Sequence, residues 1–368
     1  MYDVVRCLHM TPKSRTSRLV ASVTAFTLGG LTSGCSTSET DSLVQTADQT
    51  SKKAEIALVI TVDWEGRDLT DANLAAMKTF RSAFPTLPLV HFLNAAYFTK
   101  PDADASQVES KIKSVLREGD ELGLHIHGWK QLFEASGVTF RSTPTFWGNG
   151  PLSNDCAYDC GHEVPISSYT ADELSSVVRY SVKTLKAHGF GTPVSFRAGG
   201  WVATDTVREA LLKNGFRTEN SEVPVTFLKA KIGTMPLYTW LGDLWAGATN
   251  LTQPHTLSTP LGTLTEIPDN GALSDYVSAD DMLAVYRANR AATAKGSTRL
   301  VSIGFHQETA AKYLPVLTEA ITRIQSDAAK DGTTLLGTTS IAVANALSAG
   351  TDGGLAFPSN GALDAGSK

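Results

Sequence analysis

An α/β fold with parallel strands, curled into a closed or distorted barrel and not laid out as an open doubly wound sheet, is what this 368-residue chain predicts. About seven alternations of strand and helix follow residue 54, and the strands are apolar along their whole length, as strands covered on both faces are. A third observation favours the barrel. Asp63 and Glu65, His125 and His127, Arg197, and His306 fall at the C-terminal ends of different strands. A barrel gathers its chemistry at that end from many strands, whereas an open sheet binds near one switch point.

The first strand is IALVITVDWEG (56–66), an apolar run stopped by acidic residues. A helix is expected at 70–83, where Leu74, Met77 and Phe80 recur three apart. PLVHFLNAAYF (88–98) reads as the next strand, 105–118 as a helix on Val108, Ile112 and Val115, and ELGLHIH (121–127) as a third strand. After a long connection, Thr170 with Glu173 forms a capping-box pattern before a helix that Gly189 ends. PVSFRAGGW (193–201), a helix at 203–214 and a short strand at 216–220 follow. Residues 222–262 break the rhythm with Pro, Gly and Thr and read as an insert or covering loop. Strand resumes at 261–268, helix at 279–294, strand at 299–306, helix around Leu314, Leu317, Ile321 and Ile324, and a strand with a short helix closes the domain by 349. Residues 350–368 read as a loose tail.

Residues 1–34 have the layout of a leader: a basic stretch, the short apolar run LVASVTAFTLGG (19–30), and LTSGC ending at Cys35. This resembles a bacterial lipoprotein signal with Cys35 as the lipidated residue, and implies an exported chain held on a bacterial membrane, the outer membrane facing the periplasm if the host has two. Residues 35–53 are polar, without an apolar period, and read as a flexible tether. Cys156 and Cys160 remain as the thiols of the domain; an even pair in an oxidising compartment suggests a disulfide, the alternative being a metal site with His162. The net charge of −5, with no basic stripe carrying interleaved aromatics, argues against nucleic acid as partner. No Gly-rich fingerprint follows the first strand, so a phosphate or dinucleotide loop has no support. Oligomeric state is not encoded in any legible pattern.

In an extended strand residues i and i+2 share a face, so Asp63 and Glu65 can point together, as can His125 and His127. A carboxylate with two imidazoles is a recurring ligand set of catalytic zinc, and an adjacent free carboxylate can take a proton from water. Each residue alone also has an ordinary reading. DWE can be a solvated strand exit, the histidines can bond to backbone, Arg197 can be a salt-bridge partner, and His306 can be a strand-end residue. Their joint appearance favours a site. His162 is a spare ligand candidate, His91 a core residue and His188 a helix C-terminal residue.

In this order the signals resemble the polysaccharide deacetylases, the NodB-homology proteins of carbohydrate esterase family 4, over roughly residues 54–347. TVDWEG (61–66) takes the place of the first motif, with Asp63 as base and Glu65 as metal-binding acid. ELGLHIHGW (121–129) takes that of the second; His125 matches its first histidine, Trp129 stands where the second would be, and His127 takes the ligand role. FRAGGW carries the matching Arg197, SIGFH ends on the matching His306, and EIPDN (266–270) lies near the fourth motif.

The resemblance implies a distorted (β/α)7 barrel and metal-dependent removal of acetyl groups from a cell-envelope or extracellular polysaccharide. Glu65, His125 and His127 would hold the ion, Arg197 would orient Asp63, and His306 would protonate the leaving group. Trp129, Trp201, Trp240 and Trp245 are candidates for a sugar-binding rim, each with an ordinary core reading beside it. The rival classes are a glycoside hydrolase pairing Asp63 or Glu65 with Asp269, an amidase acting on a peptide-crosslinked wall polymer, and a non-catalytic carbohydrate-binding or assembly lipoprotein.

Overall fold

The computed structural model describes residues 53–148, 150–350 and 354–357. The leader, Cys35, nearly all of the tether and most of the 350–368 tail lie outside the described residues. Nine strands form one mixed sheet: β1 (Glu55–Asp63), β2 (Val90–Leu93), β3 (Glu121–Ile126), β4 (Ser195–Ala198), β5 (Thr218–Glu219), β6 (His255–Thr259), β7 (Gly262–Glu266), β8 (Thr298–His306) and β9 (Thr334–Thr338). Its order is β6-β7-β5-β4-β3-β2-β1-β8, with β9 also on β1. Every pairing is parallel except the β6–β7 hairpin.

β1 is central because it is apolar throughout; Ile56, Val59, Ile60 and Val62 are fully buried. Along one edge it pairs with β8 from Glu55 to Asp63, and along the other with β9 in its first half and β2 in its last three residues. The helices that cover the sheet are α1 (Asp71–Ala83), α2 (Ala105–Lys113), α3 (Lys130–Ala135), α4 (Ala171–Ala187), α5 (Asp205–Lys213), α6 (Lys229–Ile232), α7 (Pro236–Leu244), α8 (Ala279–Ala292), α9 (Ala310–Asp331) and α10 (Ser340–Ala349). The capping box expected at Thr170 and Glu173 starts α4, and Ser278 with Asp281 makes a second at α8. Among the described residues no helix is long and apolar enough to cross a membrane.

The sheet is curled but open, which corrects the expected (β/α)7 closure in detail. Beyond β7 the chain leaves β5 and runs toward β8. Ile267 N donates to Glu219 O (2.8 Å), then Gly271 N to Ser302 O (2.8 Å) and Ser274 N to Gly304 O (2.8 Å). One segment thus touches both flanks and bends them toward each other, without a ladder joining β7 to β8 among the described residues.

Two expected strands are shorter than their apolar runs. β2 stops at Leu93 because the Asn94 side chain accepts Ala96 N (3.0 Å) and starts a tight turn, and β4 gives way to a turn at Gly199–Trp201. Residues 222–262, expected as an irregular insert, hold α6, α7 and β6. Pro236 stands in the first turn of α7, where its missing N–H costs nothing. Cys156 and Cys160 form a disulfide, and the loop they close packs on α3, with Lys130 N donating to Cys160 O (2.8 Å).

Candidate active site

Strand ends and the loops beyond them line a cavity of about 220 Å³. Asp63 ends β1, His125 belongs to β3, Ala198 ends β4 and His306 ends β8; Glu65, His127, His162 and Asp275 come from the loops that follow strands. Among the described residues two groups have ligand atoms close enough to share an ion: Glu65 with His125 and His127, and Asp63 with Glu65 and His306.

Hydrogen-bond bookkeeping tests whether a cation fits. His125 Nδ1 lies 2.8 Å from Arg197 O, and His127 Nδ1 lies 2.7 Å from His162 O. A carbonyl oxygen only accepts, so both Nδ1 atoms carry the proton and donate. The Nε2 atoms then face the Glu65 carboxylate, at 3.1 Å from His125 and 3.0 Å from His127. That carboxylate is ionised: burial alone would raise it, but His127, His306 and the His125 contact hold it well below the ordinary range. A carboxylate and two ring nitrogens converging in a buried site call for positive charge there, supplied by ring protons or by a cation between them. His127 Nε2 is buried and has no hydrogen-bond partner. The donor set, one carboxylate and two imidazoles with carbonyl partners behind them, suits a divalent transition metal.

His162 plays a different part. Arg67 Nη2 lies 3.4 Å from its Nδ1, and since a guanidinium only donates, Nε2 keeps the hydrogen and gives it to Glu65 Oε2 at 2.5 Å. Burial, reinforced by His127, pushes His162 down to about 3 in spite of Glu65, in keeping with a neutral ring. The ring also stacks on His127, centroids 4.0 Å apart. His162 therefore steadies one Glu65 oxygen and one ligand ring.

Beside this group Arg197, fully buried, holds Asp63 Oδ1 at 2.9 Å and Asp269 Oδ1 at 3.6 Å and donates to Asn220 O (2.8 Å). Burial would lower its pKa, but the two carboxylates outweigh that and raise it. Asp269 is pushed up to about 6 by burial, with Arg197 opposing, and accepts the Trp201 indole N–H (3.1 Å). It lies behind Arg197 and is not part of the cavity lining, so it does not face Asp63 or Glu65 across a cleft.

His306 Nδ1 is 3.1 Å from Asp275 Oδ1 and its Nε2 is 3.6 Å from Glu65 Oε1. Burial lowers it, yet Asp275 and Glu65 lift it to about 10, which favours the imidazolium.

The GGW sequence has a local cause. A Cβ at Gly199 would sit 2.7 Å from His127 Nδ1, so only glycine lets β4 end against the ligand ring. Gly200 at φ 61° and then Trp201 at φ 59° turn the chain so that the indole lines the cavity. A left-handed tryptophan is strained backbone at a functional site.

Of the four tryptophans considered for a rim, Trp201 lines the cavity. Trp129 is buried and donates to Glu65 O (2.7 Å), Trp245 is buried and donates to Trp201 O (2.9 Å), and Trp240 lines separate hollows with Pro144 and Thr143. Trp129, standing where the resemblance implies a histidine, thus backs the candidate ligand Glu65 through its backbone oxygen. His91 is in the core, accepting the Trp64 indole N–H at 3.2 Å.

Sequence reading passed over Arg67, Phe146, Trp147, Asp275, Tyr276 and Glu308, all in the lining. For Glu308 a signal existed in the polar Gln-Glu-Thr that follows His306. Its carboxylate accepts Glu65 N (3.1 Å) and Arg67 N (3.2 Å), and burial with Glu65 nearby raises it to about 7.

No family model matches the chain, and no curated protein matches it. Among solved structures, a protein from Mycobacterium smegmatis assigned as a polysaccharide deacetylase is similar at 14% identity over 81% of this chain and 91% of its own, with a TM-score of 0.48. A family 4 carbohydrate esterase from Streptomyces lividans, in complex with acetate, is similar at 12% over 83% and 99%, TM-score 0.39. A 4-alpha-glucanotransferase from Thermococcus litoralis is similar at 9% over 77% and 39%, TM-score 0.42. At these scores the likeness concerns the path of the chain, and the chemistry has to be read from the side chains.

Proposed function

We propose that this chain is a metal-dependent hydrolase that removes acetyl groups from a cell-envelope or extracellular polysaccharide. The observation that carries the reading is the buried carboxylate of Glu65 opposed by the Nε2 atoms of His125 and His127, at the floor of an open cavity that also holds Asp63 and His306. Glu65, His125 and His127 would hold a divalent ion, zinc by the nature of the donors, and when bound it supplies Lewis acidity and a lowered pKa for water.

Asp63 is the base. Its Oδ1 is engaged by Arg197 at 2.9 Å, which fixes the carboxylate in orientation while it takes a proton from attacking water. His306, the register partner of Asp63 on β8, is oriented by Asp275 with its Nε2 3.6 Å from Glu65 Oε1, and gives its proton to the departing amine or alcohol. An amide nitrogen leaves poorly unless protonated, so an imidazolium fixed at this point suits the reaction. The exposed Trp147, with the half-buried Tyr276 also in the lining, offers a ring face at the cavity on which a pyranose can pack.

The leader pattern and Cys35 support export and tethering through a lipid; loss of palmitate labelling in Cys35→Ser cells would be expected, and undiminished labelling would remove that element. The central test is acetate release from acetylated glycans by protein dialysed against chelator and then reloaded with zinc. Turnover should disappear on chelation and return with metal. Release that survives chelation, or none from metal-loaded protein on N- and O-acetylated substrates alike, would overturn the proposal.

A further inference from the structure

We infer that Arg67 is an anion-recognition residue and that the substrate carries an acidic group next to the acetylated sugar; this rests on the deacetylase reading of the same cavity. The described lining residues contain four carboxylates, Asp63, Glu65, Asp275 and Glu308, and one arginine or lysine, Arg67. Three of the carboxylates are matched by cationic or imidazole partners: Asp63 by Arg197, Asp275 by His306, and Glu65 by the histidines. The fourth, Glu308, is taken up by backbone N–H groups and Tyr97.

Arg67, in this acid-rich surrounding, has no carboxylate within 4.0 Å among the described residues, and its guanidinium makes its contact with His162 Nδ1. One of its five donors is thereby used. The others belong to an exposed side chain at the cavity wall, an imidazole ring away from Glu65.

The arginine is presented from a fixed base. Arg67 N and Glu65 N both donate to the Glu308 carboxylate, and between them Gly66 turns at φ 79°, packed so closely on Asn94 that a Cβ would lie 2.8 Å from its Cγ. Fixing the backbone this way removes part of the entropy cost of holding the side chain against a ligand. A planar guanidinium with free parallel donors matches a carboxylate in a bidentate pair. A sugar face on Trp147 and an acid on Arg67 would together fix the ring relative to the ion site. The substrate class is an acidic acetylated glycan, its charge lying on the acetylated residue or on its neighbour.

The test uses calorimetric binding to the full zinc-loaded chain. The probes are two acidic tetrasaccharides of N-acetylglucosamine, one alternating with glucuronate and one carrying the lactyl carboxylate of muramic acid, with neutral chitotetraose as comparator. The wild-type chain should prefer at least one acidic probe, and Arg67→Gln should cut that acidic-to-neutral affinity ratio by roughly 10- to 100-fold. Arg67→Lys should recover part of it, since the charge remains and the bidentate geometry does not. Raising salt should erode the preference of the wild type more than that of Arg67→Gln. A wild type that binds neither acidic probe more tightly than chitotetraose, or a ratio that Arg67→Gln leaves unaltered, overturns the inference. If the ratio falls as expected while no acetate is released from any probe, anion recognition stands and the deacetylase reading falls.

Discussion

Replacing Glu266 by glutamine should stabilise the folded chain above neutral pH and leave it almost unaffected in mild acid. Glu219 on β5 and Glu266 on β7 are register partners, both wholly buried. Glu266 Oε1 accepts Glu222 N (2.8 Å), but its Oε2 and both oxygens of Glu219 lack partners. Burial first, and then the Glu219 charge, raise Glu266 well above its ordinary value of 4.5, so the folded pair keeps a proton that the unfolded chain releases. The sign follows from that. With the folded value raised, the contribution to stability is complete below about 4.5 and is lost as pH climbs through the raised folded value. Glu222, raised by burial and Glu219 against the pull of His255, adds to the same trend.

Glutamine has the shape of the protonated acid. Its carbonyl can still accept Glu222 N while its amide donates to Glu219 without a shared proton. One buried unsatisfied polar group costs about 1–3 kcal/mol, so Glu266→Gln should gain roughly that at pH 8.5 and nearly nothing at pH 5. Urea unfolding at both pH values measures it, with the midpoint moving at constant slope. Equal midpoints for wild type and variant at pH 8.5, or a less stable variant there, would refute the proton-sharing account of this pair.

At the cavity, Asp63→Asn should lower acetate release by roughly 10²–10⁴ with metal content retained, as loss of a general base does; near-normal turnover by steady-state assay would remove Asp63 from that role. His125→Ala should release metal, read by elemental analysis of purified protein, whereas full occupancy would mean the ligands are others. Chelation of the wild type should lower its unfolding temperature and added zinc restore it, since a ion that binds only the folded chain stabilises it by mass action. Arg197→Gln should destabilise by about 3–5 kcal/mol, because Asp63 and Asp269 stay buried without their cation. A loss under about 1 kcal/mol in urea unfolding would show that the two carboxylates do not depend on it.

Sequence by itself determined the local elements and the pairs that lie close along the chain. Continuous apolar runs made β1, β3 and β8 strands buried on both faces, and Thr170 with Glu173 began α4 through a capping box. The two-residue spacing of Asp63 and Glu65, and of His125 and His127, was legible because parallel strands deliver such pairs to one end of the sheet. Tertiary structure decided what spacing could not encode. It placed His162 on Glu65 across 97 positions, buried Trp129 against the Glu65 backbone, and set Asp275 beside His306. It also left the sheet open, with the segment after β7 joining two flanks by backbone hydrogen bonds, which the side-chain pattern does not record. Periodicity records which face of an element is covered, but not which distant loop covers it. That choice is made by long-range packing and by the need of each buried donor and acceptor to find a partner.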